Sequence, residues 1–181
     1  THADSIHKAA AEVKARFGKL DILVNNAGVV VEELDKVPSE QTLDAWRKTF
    51  DTNFFAAVEV TKAFLPLLKA APAARIVNVS SRLGSLTLHA DPTSPIYDVK
   101  VPAYNASKSA LNSWTVHLAY ELRDTPIKVN AVHPGYVQTD MNGGQGEIDV
   151  PTGAKSSVGM ALIGADGPTG SFTYLGKTLP W

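Results

Sequence analysis

Three short apolar runs constrain what this chain can fold into. Residues 20–24 (Leu-Asp-Ile-Leu-Val), 75–80 (Arg-Ile-Val-Asn-Val-Ser) and 127–132 (Ile-Lys-Val-Asn-Ala-Val) have the length and composition of buried strands. Each gives way abruptly to turn-formers or hydroxyls. The first ends in Asn25-Asn26-Ala27-Gly28, the second in Ser80-Ser81 before Arg82-Leu83-Gly84, and the third in the loop from His133 to Asp140. Helical stretches separate them, and a last short strand is expected at residues 171–175. The order is helix, then βαβαβαβ. Such alternation predicts an α/β fold, with a parallel sheet covered by helices on both faces. In a sheet of that kind, ligands bind outside the carboxyl ends of the strands. The polar strand ends are therefore the first place to look for function.

The helices are legible from spacing. Residues 3–17 place Ile6, Ala9, Ala10, Val13 and Phe17 on one face, with Asp4 or Ser5 as candidate cap and Gly18 as the stop. A long helix is expected from a cap at Ser39 to about Lys69. Leu43, Trp46, Phe50, Phe54, Ala57, Thr61, Phe64 and Leu68 line it, and Pro66 distorts its last turn. Asn53 falls in mid-helix, where the plain reading is a solvated polar residue. Residues 104–123 carry Leu111, Trp114, Thr115, Leu118 and Leu122 on their apolar side, and a further helix is expected at 151–163. Residues 85–102, with Pro92, Pro95 and Pro102, read as a long irregular connection of the kind that is functional or interfacial. Residues 141–150 read as a mobile loop. Their glycines do not sit between a strand and a helix, so they are not read as a phosphate loop.

Composition narrows the classes. The chain has 181 residues and a net charge of −1, so one domain spanning 1–181 is expected, without a nucleic-acid partner. It contains no cysteine, which excludes disulfides and thiolate chemistry and is compatible with a reducing compartment; a cytoplasmic location is expected. His2, His7, His89, His117 and His133 show no ligand spacing, so no metal site is expected. No apolar run reaches the ~20 residues of a membrane span, so no membrane partner is expected either.

The residues with the sharpest chemistry are Tyr104 and Lys108. Four residues apart, they stack on one helix face. A free phenol titrates near ~10 and is a poor acid–base catalyst at neutral pH. An ammonium one turn away favours the phenolate and is expected to lower that pKa, so the pair could move a proton to or from an alcohol or carbonyl oxygen. Tyr97 and Lys100 look similar, but their spacing is three and Pro95 and Pro102 flank them. On spacing alone the commoner reading of such a pair is an amphipathic helix with an aromatic on its buried edge.

Its company resolves the choice. Asn25-Asn26-Ala27-Gly28, Asn53, Ile76-Val77-Asn78-Val79-Ser80-Ser81, Tyr104-Asn105-Ala106-Ser107-Lys108 and Pro134-Gly135 with Thr139 occur in the order of the motifs of the short-chain dehydrogenase/reductase family. The chain resembles that family to its last residue. Gly167-Pro168-Thr169-Gly170 and Leu179-Pro180-Trp181 look most like its carbonyl-reductase branch. The resemblance implies a Rossmann-like doubly wound sheet with strands in the family order 4-5-6-7. It implies that Tyr104 is the proton donor, that Lys108 tunes it and binds the nicotinamide ribose, and that Ser81 holds the substrate oxygen. Asn53 would hold a water in a proton relay to Lys108. Asn25, Ala27 and Gly28 would line the ribose side of the cofactor, and Pro134, Gly135, Val137 and Thr139 its nicotinamide side. The substrate would be a small carbonyl compound or alcohol.

One part of the family pattern is not matched. The glycine-rich strand–helix turn that holds the cofactor pyrophosphate has no counterpart, and Thr1 falls where the family has already completed three strands. Roughly two βα units of ~30 residues each are missing from the pattern. The residue that selects the cofactor belongs to them. The branch resemblance suggests NADP(H), with NAD(H) not excluded. The expectation is that these residues alone neither bind NADP(H) tightly nor turn over. The competing readings are a ketoacyl-type or sugar/alcohol dehydrogenase of the same family, and an inactive half-domain that serves as a binding module. A monomer is expected, because the connection from Ser81 to Tyr104 carries extra residues that in the carbonyl-reductase branch cover the helical face used for association.

Overall fold

The structure, a computed structural model, describes residues 2–181; Thr1 lies outside the described residues. Five strands form one sheet in the order β1-β2-β3-β4-β5: Ile22–Asn25, Arg75–Val79, Lys128–Val132, Phe172–Tyr174 and Lys177–Thr178. The first four are parallel and β5 is antiparallel to β4. The expected sheet is thus present with one addition. β4 and β5 are joined by Leu175 and Gly176, with φ of 47° and 78°, the two positive angles that a tight hairpin turn of this hand requires. Strands of two and three residues leave too short a pattern to read from sequence.

Strand pleat explains how the two layers divide. On β2 every residue is buried. Ile76 packs with Leu68, Leu118, Leu122 and Val129 on the face covered by α3 (Ala56–Lys69) and α5 (Pro102–Glu121). Val77 and Val79 point the other way, onto Met160 of α6 (Val150–Ala161). Fully burying a side chain of this size contributes about 1.5–3 kcal/mol, so this two-sided packing is what fixes the position of the β2 carboxyl end. At the other end of β2, the buried Arg75 donates to the carbonyls of Ile163, Ala73, Ala74 and Pro126.

The helices depart from the sequence reading at their ends. α1 (Ala3–Phe17) ends at Gly18 with φ 70° as expected, but neither Asp4 nor Ser5 caps it; His2 stands at that position and only Ile6 is buried. The long helix is capped by Thr42, whose hydroxyl accepts from Ala45 N at 3.2 Å. Ser39 lies in a separate 3-10 turn, Pro38–Glu40. Between α2 (Leu43–Phe50) and α3 the helix widens into a π turn, Asp51–Phe55. The 85–102 connection contains the short helix α4 (Leu86–Ala90), and Pro102 opens α5, where its missing N–H costs nothing. Residues 139–148 form an ordered closure instead of a loose glycine loop. A 3-10 turn, Asp140–Asn142, is tied back by the Asn142 side chain to Thr139 N and Val137 O, and Val137 bridges to Ile148.

Candidate active site

Because the first four strands are parallel, their carboxyl ends share one edge, and the loops after β1, β2 and β3 meet there. α5 runs beneath that edge with Tyr104 and Lys108 on its first turns.

Lys108 is the centre of the arrangement. It is 3% exposed, and its Nζ donates to Val79 O at 2.9 Å. Among the described residues it has no other hydrogen-bond partner, and no carboxylate pairs with it. Burial pulls its pKa down to about 8. A buried ammonium without a counter-ion is costly, and this one keeps two N–H donors uncommitted. Gly28 lies beside it: a Cβ built on that residue would lie 3.4 Å from Lys108 Nζ, 3.5 Å from Asn53 Oδ1 and 3.8 Å from the Met141 methyl. The space left by the absent side chain is a small polar niche at the sheet edge.

Tyr104 is half-buried, with its ring centroid 5.6 Å from Lys108 Nζ. Its pKa moves opposite to the sequence expectation. Burial pushes the phenol up, and the nearby Ser81 hydroxyl offsets only part of that. The ammonium does not reverse the shift in this structure. At neutral pH Tyr104 is a protonated donor. Ser81 is buried at the end of β2, and its Oγ also accepts from Leu83 N at 3.1 Å.

Asn53 is not solvated. It is 1% exposed in the π turn; its amide donates to Val29 O and Ser107 Oγ and its carbonyl accepts from Val29 N at 2.7 Å. Both side-chain donors are thus committed to protein. A π turn breaks the regular i→i−4 ladder and is a common feature of functional sites.

The remaining expected residues divide. Ala27 and Gly28 lie at the open edge. The Asn25 side chain turns inward and donates to Thr61 Oγ1 at 2.9 Å and Asn78 Oδ1 at 2.8 Å, while Asn78 donates on to Thr115. It braces the sheet against α3 and α5 through its amide nitrogen, which leaves its carbonyl oxygen and backbone for a ligand. Val137 packs its side chain against Gly153 of α6, again leaving backbone. Pro134, Gly135 and Thr139 form the third wall, and Gly135 (φ 97°) is hemmed in by Ile148 and the Tyr174 hydroxyl.

Four contributors escaped the sequence reading. Glu32 is buried and its carboxylate accepts from Ala103 N and Tyr104 N. His133 is buried, accepts from Arg82 N through Nδ1 and is held neutral: burial, helped by the Arg82 guanidinium, takes its pKa to about 3. Gly84 presses on α5 so closely that a Cβ would lie 2.8 Å from Lys108 C. Asn78 did carry a signal, an amide in an otherwise apolar strand. The other three act through partners distant in sequence.

Comparison with known proteins gives a consistent result. Residues 1–148 match the family model described as short chain dehydrogenase. The chain is 39% identical to the short-chain dehydrogenase anuI of Penicillium roqueforti (strain FM164) over 90% of its own length and 65% of that protein's. It is 32% identical to salutaridine reductase of Papaver bracteatum, over 88% of this chain and 70% of that protein. Among solved structures, the NADPH-bound carbonyl reductase from chicken fatty liver superposes with a TM-score of 0.84 at 29% identity, covering 99% of this chain and 74% of that one. The chain is thus shorter than the relatives it matches.

Proposed function

We propose, from the premise that the chain belongs to the short-chain dehydrogenase/reductase family, that its site serves NADP(H)-dependent interconversion of a carbonyl compound and its alcohol. Tyr104 is the acid in that reading. The observation that carries it is the Lys108 ammonium, buried without a counter-ion beside the Gly28 niche, one helical turn from the Tyr104 phenol.

The residues fit a nicotinamide ribose. Lys108 offers two N–H donors to vicinal hydroxyls, Gly28 lets a ring lie against backbone, and the Pro134–Gly135 turn and Thr139 close the far side. When bound, the cofactor would supply or accept the hydride. The chain's own part is proton chemistry and orientation. Ser81 holds the substrate oxygen beside the phenol, and Tyr104, protonated at neutral pH, donates to it during reduction. A positive charge at Lys108 then stabilises the phenolate left behind, although in the free protein it does not overcome burial. In the alcohol-oxidising direction the same phenolate takes the proton back.

The preference for NADP(H) over NAD(H) rests on the NADPH-bound avian reductase. We further propose a single domain over 1–181 and a monomer. A stable dimer closing on the open groove between α3 and α5, lined by Val58, Leu65, Trp114 and Leu118, would overturn the latter, and sedimentation reads it directly. The mechanism is tested by NADPH oxidation with a panel of aldehydes, ketones, sugar alcohols and ketoacyl thioesters. In a version completed with the family's pyrophosphate-binding βα units, Tyr104→Phe should lower turnover on the order of 10²–10⁴-fold and leave cofactor affinity within a few-fold. Turnover unaffected by that change would refute the assignment. Cofactor binding without turnover on any substrate would favour a binding module.

A further inference from the structure

We propose that Glu32 is a positioning residue that locks Tyr104 to the loop forming the Gly28 niche; this rests on the reading of Tyr104 as the acid. Helix α5 begins without help from its own sequence. Its N-cap, Val101, has no capping side chain, and Pro102 has no N–H. The next two amides, of Ala103 and Tyr104, point at the carboxylate of Glu32, at 2.9 Å to Oε2 and 2.7 Å to Oε1. Glu32 is 7% exposed and comes from the loop after β1. A carboxylate at this place satisfies two orphan donors with charge-assisted bonds and meets the positive end of the helix dipole.

The carbonyl of Tyr104 is tied to the same loop. Ser107 Oγ donates to Tyr104 O at 2.7 Å and accepts from Asn53 Nδ2, and Asn53 in turn bonds both the N–H and the carbonyl of Val29. Both peptide groups of Tyr104 are therefore anchored to residues 29–32, directly behind Gly28. The loop itself is braced, since Gln41 bonds Glu33 N, Glu33 O and Lys36 O. A shift of the niche relative to the phenol must break one of these two tethers. Glu32 is the ionic one, and it sets where the phenol stands relative to Ser81.

Amide hydrogen exchange on the 181-residue chain, with tyrosine labelled at 13Cζ, tests this. In the unmutated chain the Ala103 and Tyr104 amides, which exchange freely at an uncapped helix start, should be protected at least tenfold. Glu32→Ala should abolish that protection and leave the centre of α5 unchanged. Glu32→Gln, which keeps one acceptor oxygen and folds more readily, should lose about half of it on a logarithmic scale. In both, the Tyr104 13Cζ signal and its titration midpoint should move while those of Tyr97, Tyr120, Tyr136 and Tyr174 stay. A tether that was only structural would lower the melting temperature without moving that one signal. Unprotected amides in the unmutated chain, or an unmoved Tyr104 signal in either folded variant, would overturn the proposal. Failure of the Tyr104 assignment itself would appear separately, as turnover that survives Tyr104→Phe.

Discussion

Substituting Gly84 by alanine probes the contact that sets the height of Lys108 over the sheet edge. Gly84 ends the 3-10 turn Arg82–Gly84 and is buried against α5. An added Cβ would meet Lys108 C and Lys108 Cβ at 2.8 Å and Ser109 N at 3.0 Å. Carbon–carbon contacts settle near ~3.5–4.0 Å, so turn and helix must separate by roughly 0.7 Å. Neither side can swing away. The obstacles are helix backbone and the base of a side chain, and the turn is fastened to α5 by Ser109 Oγ and Asn112 Nδ2, both donating to Gly84 O. Overpacking of this kind costs about 1–3 kcal/mol. A chain of this size loses about 2–4 °C of melting temperature per kcal/mol, so the fall should be roughly 2–12 °C by calorimetry or circular dichroism. Gly159, exposed in α6 with nothing within 4 Å of its would-be Cβ, is the control. Gly159→Ala should stabilise by about 0.4–1 kcal/mol. If Gly84→Ala melts within 1 °C of the parent while the control behaves as stated, the close approach of turn and helix does not hold.

Three further perturbations follow from the buried groups and the hairpin. Lys108→Met should raise the stability of the cofactor-free chain, because burial without a counter-ion lowers the ammonium to about 8 and that shift corresponds to about 3 kcal/mol. The sign is specific: the cost is fully present below pH 8 and relieved as pH rises toward 10.5, where the unfolded chain also loses the proton. The parent should gain stability over that window and Lys108→Met should not, as read by urea titration at several pH values. His133, at about 3 when folded, acts at the other end: stability should be complete above pH ~6.5 and fall toward pH 3 by on the order of 4 kcal/mol. His133→Asn, which keeps an acceptor for Arg82 N, should flatten that limb. Leu175, exposed at φ 47°, carries a left-handed penalty of roughly 1 kcal/mol. Leu175→Asn should raise the melting temperature by a few degrees, and a decrease would contradict the turn geometry.

Much of this architecture is legible in the amino-acid sequence. The three apolar runs form β1, β2 and β3; β2 and most of β3 are buried on both faces, which demands largely apolar side chains, whereas β1 leaves Ile22 and Val24 exposed. Polar residues at their ends marked the shared edge. Tyr104 and Lys108 were legible because helix spacing alone puts them one turn apart. What escaped the sequence depends on partners far along the chain. The carboxylate of Glu32 meets the start of α5 71 residues away. Asn25 looked like a ligand residue because it sits at a strand end, yet its amide turns inward to Asn78 and Thr61. Thr42 replaced Ser39 as the helix cap because Pro38–Glu40 closes a turn of its own. The Tyr104 shift runs opposite to the expectation because spacing reports proximity to an ammonium and says nothing of burial.

The central claim is that Gly28, Lys108 and the Pro134–Gly135 turn form a nicotinamide-ribose site served by Tyr104 and Ser81. Titrating the 15N-labelled chain with NADPH to millimolar concentration, and following each amide, tests it directly and needs neither tight binding nor turnover. Saturable shifts are expected to cluster at Gly28, Val29, Lys108, Gly135 and Thr139, to be retained in Tyr104→Phe and to be lost in Lys108→Met. Shifts located elsewhere on the surface, or a Lys108→Met chain that responds like its parent, would contradict it.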